Sequence, residues 1–238
     1  METVTIRQPA GIGDIFYCLK IACMILQKGK KVVWPVIKEF SYIGDYIKYP
    51  NLSFPIHPNP ADGNAEIYNV EPIIPLQHAD YIIPELRFDV MKAKYELVKQ
   101  DSSDWLDYFC FFRNYEREGQ LYRHLNPMNE KYILRSNNVG SPPDFIKKDI
   151  RLDHIDENKA GSPRIIDIDV IEGYNIFDWC TLLENASEIH MVDTAFMYIM
   201  EKLDLKGSVF KLYSRFNPAN FNVVKHIPQN VKWEYMEW

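Results

Sequence analysis

The first 36 residues, METVTIRQPAGIGDIFYCLKIACMILQKGKKVVWPV, restrict the fold more than any other stretch. Thr3 to Arg7 reads as a buried strand. Ile15, Phe16, Leu19, Ala22, Cys23 and Leu26 then recur at helical spacing up to Gly29, a C-terminal cap. Lys31 to Val36 supplies a second strand. A strand, a glycine loop, a helix and a strand in that order make a βαβ unit, whose parallel strands need a right-handed crossover.

The rest of the chain extends this into two α/β halves. Prolines 50, 55, 58, 60, 72, 75 and 84 exclude long helices from Tyr49 to Pro84, leaving NLSFPI and EIYNV as short strands. Helices are expected over Asp89 to Lys99 and, after the capping residues SSDW, over Ser103 to Leu125. Asn126-Pro127 is the best break, giving Rossmann-like domains 1–126 and 127–238. In the second, Tyr132 to Arg135, Arg164 to Val170, Glu188 to Val192 and Ser208 to Tyr213 read as strands, and Ile176 to Asn185 and Thr194 to Leu203 as helices. Ser136 to Pro163 is polar and loop-like. The alternation predicts two mainly parallel sheets around a shared cleft.

Composition narrows the partners. The 238 residues are 47% hydrophobic, enough for substantial cores, and the net charge of -6 offers no basic field for a nucleic acid backbone. Cys18, Cys23, Cys110 and Cys180 stand apart in apolar surroundings and read as reduced core residues. There is no signal peptide and no apolar run of about 18 residues, so the cytoplasm is the expected location, with peripheral membrane contact left open. The sequence leaves the oligomeric state, monomer or dimer, open.

Two stretches carry candidate chemistry. Gly11, Gly13 and Asp14 lie in the loop after the first strand, but Phe16 stands where a dinucleotide site needs a third glycine, and no acid follows the second strand. That argues against a nicotinamide or flavin oxidoreductase. Asp14 either serves a ligand or caps a helix starting at Ile15. The second stretch, NASEIHMVDTAFMYIMEKL, ends a strand at Asp193-Thr194 and starts a helix at once, the arrangement that offers N–H groups to phosphates. Asp193 too has a plain capping alternative. His78 and Asp80 in LQHAD lack further ligands at metal-binding spacing, and His190 falls in a buried strand pattern.

In this order, GIGD and TLLENASEIHMVDTAFMYIMEKL resemble the GT-B glycosyltransferases of the heptosyltransferase-like group, which carry a G-x-GD loop and a later LL-x-x-A-x-x-x-x-x-x-DTG-x-x-H-x-x-A segment. Leu182, Leu183, Ala186, Asp193 and Thr194 fall on matching positions, while Ala195 replaces the glycine and Tyr198 the histidine. GYNIFDWCTLLENASEIHMVDTAF also resembles fucosyltransferase-related GT-B enzymes. The resemblance implies an α/β, GT-B-like fold and metal-independent, inverting chemistry: a sugar moves from a nucleotide-sugar to a hydroxyl of a glycan or glycoconjugate. It implies Asp14 as the general base, Gly11 and Gly13 as close-approach positions, and Asp193, Thr194 and Ala195 around the diphosphate. Arg135 is the expected cation there, or else a surface arginine at a strand end. Glu172 or Asp169, at or past the end of RIIDIDV, would accept the ribose hydroxyls or else stay solvated, and Tyr95 and Arg113, in a segment that mixes aromatic and charged residues, would line an acceptor pocket or else belong to core packing. The two departures, and the lack of a visible helix over 136–163, leave a non-catalytic binding protein as the alternative.

Overall fold

The computed structural model describes residues 1–9, 11–56, 72–86, 89–141, 144–153, 155, 159, 161–215, 227 and 229–236. The chain forms two compact units, Met1–Phe112 and Arg113–Trp238.

The first unit is built on strands β1 (Thr3–Ile6), β2 (Lys31–Val33), β3 (Leu52–Ser53) and β4 (Ile73–Ile74). All are parallel, in the order β3-β2-β1-β4. The expected helix after β1 is two helices, α1 (Ile12–Tyr17) and α2 (Leu19–Gln27), separated at Cys18. Gly29 takes a positive φ of 74° behind α2, the left-handed cap expected of it. Beyond lie short helices α3 (Ile43–Tyr46) and α4 (Ala79–Ile82), then α5 (Val90–Leu97), whose cap Asp89 accepts from the Lys92 N–H at 3.1 Å, and α6 (Trp105–Tyr108). Apolar side chains of α1 meet α6 in an aromatic stack, with Phe16 and Phe109 ring centroids 4.7 Å apart and Tyr17 and Trp105 at 5.3 Å. The expected strand EIYNV lies outside the described residues.

The long helix expected over 103–125 is broken. After α6 the chain passes to α7 (Tyr115–Leu125), which starts afresh because the Asn114 side chain accepts from the Arg117 N–H. Helix α7 belongs to the second unit. Arg113 and Arg117 tie it to Glu184 and Asp178, so the boundary falls at 112/113 rather than after Asn126.

The second unit has strands β5 (Tyr132–Ser136), β6 (Asn138–Ser141), β7 (Asp144–Lys147), β8 (Arg164–Asp167), β9 (Glu188–Val192), β10 (Val209–Tyr213) and β11 (Glu234–Met236). Five form a parallel sheet ordered β11-β10-β9-β5-β8. Strands β6 and β7 pair as an antiparallel hairpin, correcting the loop expected over 136–163. The segment earns a place in the core: Val139, Ile150 and Leu152 pack with Ile133, Val192 and Tyr213. Helix α8 (Cys180–Asn185) follows a 3-10 turn at Ile176–Trp179, opened by a capping box between Asn175 and Asp178. Helix α9 (Phe196–Met200) is shorter than expected, and β11 was not anticipated.

Cys18, Cys23 and Cys180 are buried free thiols, whereas Cys110 is exposed and so corrects the expectation that all four are core residues. No helix among the described residues is long and apolar enough to cross a membrane.

Candidate functional site

In an open parallel sheet, ligands collect beyond the strand carboxyl ends where the chain reverses its direction of strand addition. The first unit reverses between β1 and β4, the second between β5 and β9. Each candidate residue can be placed against those two points.

In the first unit β1 runs into Gln8 and then Gly11. Gly11 has φ 78° and is the N-cap of α1, so Asp14 sits in the first turn of the helix and is not a cap for one starting at Ile15. Gly13 lies inside that turn. A side chain at Gly11 would overlap the Asp14 carboxylate, which gives the glycine a steric reason as well as a conformational one. Asp14 Oδ1 accepts from Lys94 Nζ on α5, and Lys94 also donates to Gln8 Oε1 at 2.9 Å. Lys94 is 2% exposed and Asp14 29%. Burial pushes the nearby Cys18 thiol up to about 12, against the opposing pull of Lys94.

Tyr95 does not face a ligand. It is buried, donates its hydroxyl to the Tyr17 carbonyl at 2.6 Å, and meets Tyr17 edge-on at 5.1 Å. Its neighbour Lys94 is the residue on α5 that reaches the glycine loop. Periodicity marks both as buried-face positions but does not tell a packed tyrosine from a paired lysine.

In the second unit, Asp193 and Thr194 follow β9 at the reversal point. The Asp193 N–H donates to the Tyr213 carbonyl at 3.0 Å, fastening the turn to β10. Burial pushes its carboxyl up, while Arg215 pulls the other way. Arg215 Nε donates to the Asp193 carbonyl at 2.8 Å and to Oδ1 at 3.0 Å. The Thr194 hydroxyl is buried with no hydrogen-bond partner among the described residues, an orphan that native structures seldom leave without cause. Ala195, at φ -60°, sits in ordinary right-handed geometry as the N-cap of α9, so the replaced glycine is not needed for backbone shape. Tyr198 is buried.

Arg215, the cation beside the Asp193 turn, was not singled out from the sequence. Its signal was present in LYSRF, an arginine two residues beyond a predicted strand, by the same logic that selected Arg135. Arg135 is instead paired with Asp167, its register partner on β8, through bonds of 2.6 and 3.0 Å, and also donates to the Ile150 carbonyl. Arg113 is taken up by Glu118, which is 1% exposed, and by Glu184, so it braces α7 on α8 and does not line an acceptor site. Glu172 is exposed in the turn after β8. Asp169 accepts from Lys147 at 2.8 Å and Asn138 at 3.2 Å, which together draw its carboxyl below the usual range. His190 is buried between Tyr213 and Glu188, as its strand pattern implied. His78 lies 2.9 Å from the Gln77 amide, and no group of three His, Cys, Asp or Glu suited to a metal occurs among the described residues.

No protein-family model matches the chain, and no curated protein matches it in sequence. Among solved structures it is similar to a glycosyl transferase family 9 protein from Veillonella parvula DSM 2008, with a TM-score of 0.54 at 7% identity, covering 99% of this chain and 87% of the other. E. coli heptosyltransferase WaaC with ADP aligns at a TM-score of 0.43 and 11% identity, covering 100% of this chain and 93% of that one. WaaC with ADP-2-deoxy-2-fluoro heptose aligns at 0.41 and 12%, over 94% and 98%. The fold assignment rests on the Veillonella structure: the chain has a mixed α/β, GT-B-like fold with a parallel sheet in each of its two units.

Proposed function

We propose that the protein is a nucleotide-sugar-dependent glycosyltransferase that moves a sugar to a hydroxyl of a glycan or glycoconjugate with inversion. In this reading the second unit binds the donor diphosphate. Arg215 supplies positive charge, the Thr194 hydroxyl donates to a phosphate oxygen, and the first amides of the turn into α9 add further donors. Such fixed donors stabilise the charge that develops as the diphosphate leaves, without calling on a metal.

Asp14 acts as the base. Its carboxylate takes the proton of the acceptor hydroxyl as that oxygen bonds to the anomeric carbon, and the bond to the diphosphate breaks with its electron pair on the leaving oxygen. Donor, acceptor and inversion belong to this proposal alone.

The observation that carries it is the buried, unpartnered Thr194 hydroxyl next to the Asp193–Arg215 pair, at the point of the second sheet where α/β folds take ligands. The test is thermal stabilisation by UDP, GDP, ADP and CMP, followed by nucleotide release from the corresponding sugars. A ligand that binds only the native state raises the melting temperature, so at least one nucleotide should do so. No stabilisation by any of the four overturns the reading. Stabilisation without turnover identifies the non-catalytic alternative.

A further inference from the structure

The geometry points to Lys94 as the positioning residue of the Asp14 carboxylate, an inference that rests on the reading of Asp14 as the base. Helix α5 buries Met91, Ala93, Lys94 and Tyr95. A lysine on such a face is tolerated only with partners for its ammonium. Lys94 has two, Gln8 Oε1 and Asp14 Oδ1, both on the segment that leaves β1. Gln8 is itself held, because its carbonyl accepts from the indole N–H of Trp34 at 3.1 Å.

The pair divides the work of the two carboxylate oxygens. Oδ1 is committed to the buried ammonium. Oδ2 has no hydrogen-bond partner among the described residues and lies over Gly11, where any side chain would overlap it. The arrangement suits a base: one oxygen fixes the group, and the other stays open to a hydroxyl. Proton transfer then runs from the acceptor oxygen to Oδ2.

The experiment compares the full-length wild type with K94A, K94Q and D14N. Coupling of glycine ethyl ester to carboxyl groups with a carbodiimide, read by peptide mass spectrometry, reports the freedom of Asp14 without any turnover. Nucleotide release from UDP-, GDP-, ADP- and CMP-sugars reports catalysis. In K94A, Asp14 should label severalfold more strongly than in wild type. Its kcat should fall about 100-fold, with the donor KM held within about twofold. Added ethylammonium should restore turnover to K94A but not to D14N, a rescue that a packing role would not produce. K94Q keeps a donor without the charge and serves the same measurements if K94A fails to fold.

Unchanged Asp14 labelling in the folded variant overturns the inference, and so does kcat within about threefold of wild type. If wild type releases no nucleotide from any sugar, the glycosyl-transfer reading fails. The labelling comparison still decides whether Lys94 holds Asp14.

Discussion

Arg215 grips Asp193 at both its main chain and its side chain, the guanidinium Nε lying 2.8 Å from the carbonyl and 3.0 Å from Oδ1. One arginine thus shapes the turn after β9 and supplies its charge. R215A should raise the dissociation constant of any stabilising nucleotide about tenfold or more, measured by calorimetry. An unchanged constant would remove Arg215 from the donor site.

The same substitution has a pH signature. Burial raises the folded-state pKa of Asp193 above its unfolded value, so its contribution to stability is complete below the ordinary carboxylate range and is lost as pH rises through the folded value. Arg215 limits that loss. The stability deficit of R215A against wild type should therefore widen between about pH 4 and about pH 7, reaching about 1–2 kcal/mol by chemical denaturation after allowance for a half-exposed arginine. A deficit independent of pH would contradict the assignment.

Thr194 separates binding from folding. Its hydroxyl is buried without a partner among the described residues, so T194V, nearly the same shape, should leave the ligand-free protein equally stable or more so, within about 1 kcal/mol. The thermal shift produced by nucleotide should shrink or vanish. T194S should retain it.

Arg113 gives the opposite pattern. R113A leaves the Glu118 carboxylate, 1% exposed, with the Thr181 hydroxyl but without its cation, and should cost about 3 kcal/mol of stability, read from urea unfolding. Nucleotide affinity measured below the transition should not change, since the arginine braces α7 on α8.

Gly11 tests the glycine loop. In G11A the new side chain meets the Asp14 carboxylate in a left-handed backbone, so a loss of about 1–3 kcal/mol is expected together with loss of turnover. Turnover retained in a folded G11A would mean that the position of Asp14 is immaterial.

The strands around the glycine loop and Glu188–Val192 were legible because each is a short apolar run closed by a glycine or a polar turn. The 103–125 region misled because α6 and α7 each have good helical spacing, and only Asn114, an inconspicuous cap, marks the restart. The β6–β7 hairpin was hidden by polar, proline-containing sequence, and the buried members of the segment, Val139, Ile150 and Leu152, show neither a helical nor a strand period. The Gly11–Asp14 and Asp193–Ala195 turns, each at the carboxyl end of a strand in its own unit, were visible in the sequence. It could not assign the cations, since which arginine or lysine reaches a turn depends on pairings such as Arg135 with Asp167 and Lys94 with Asp14.

The strands that border the two parallel sheets have a consequence of their own. Among the described residues, β3 and β4 have two residues each, β11 three and β8 four. Borders this short offer an incoming chain few open main-chain groups to zip onto. Concentrated solutions of the folded protein should accordingly resist the edge-to-edge growth that begins fibrils.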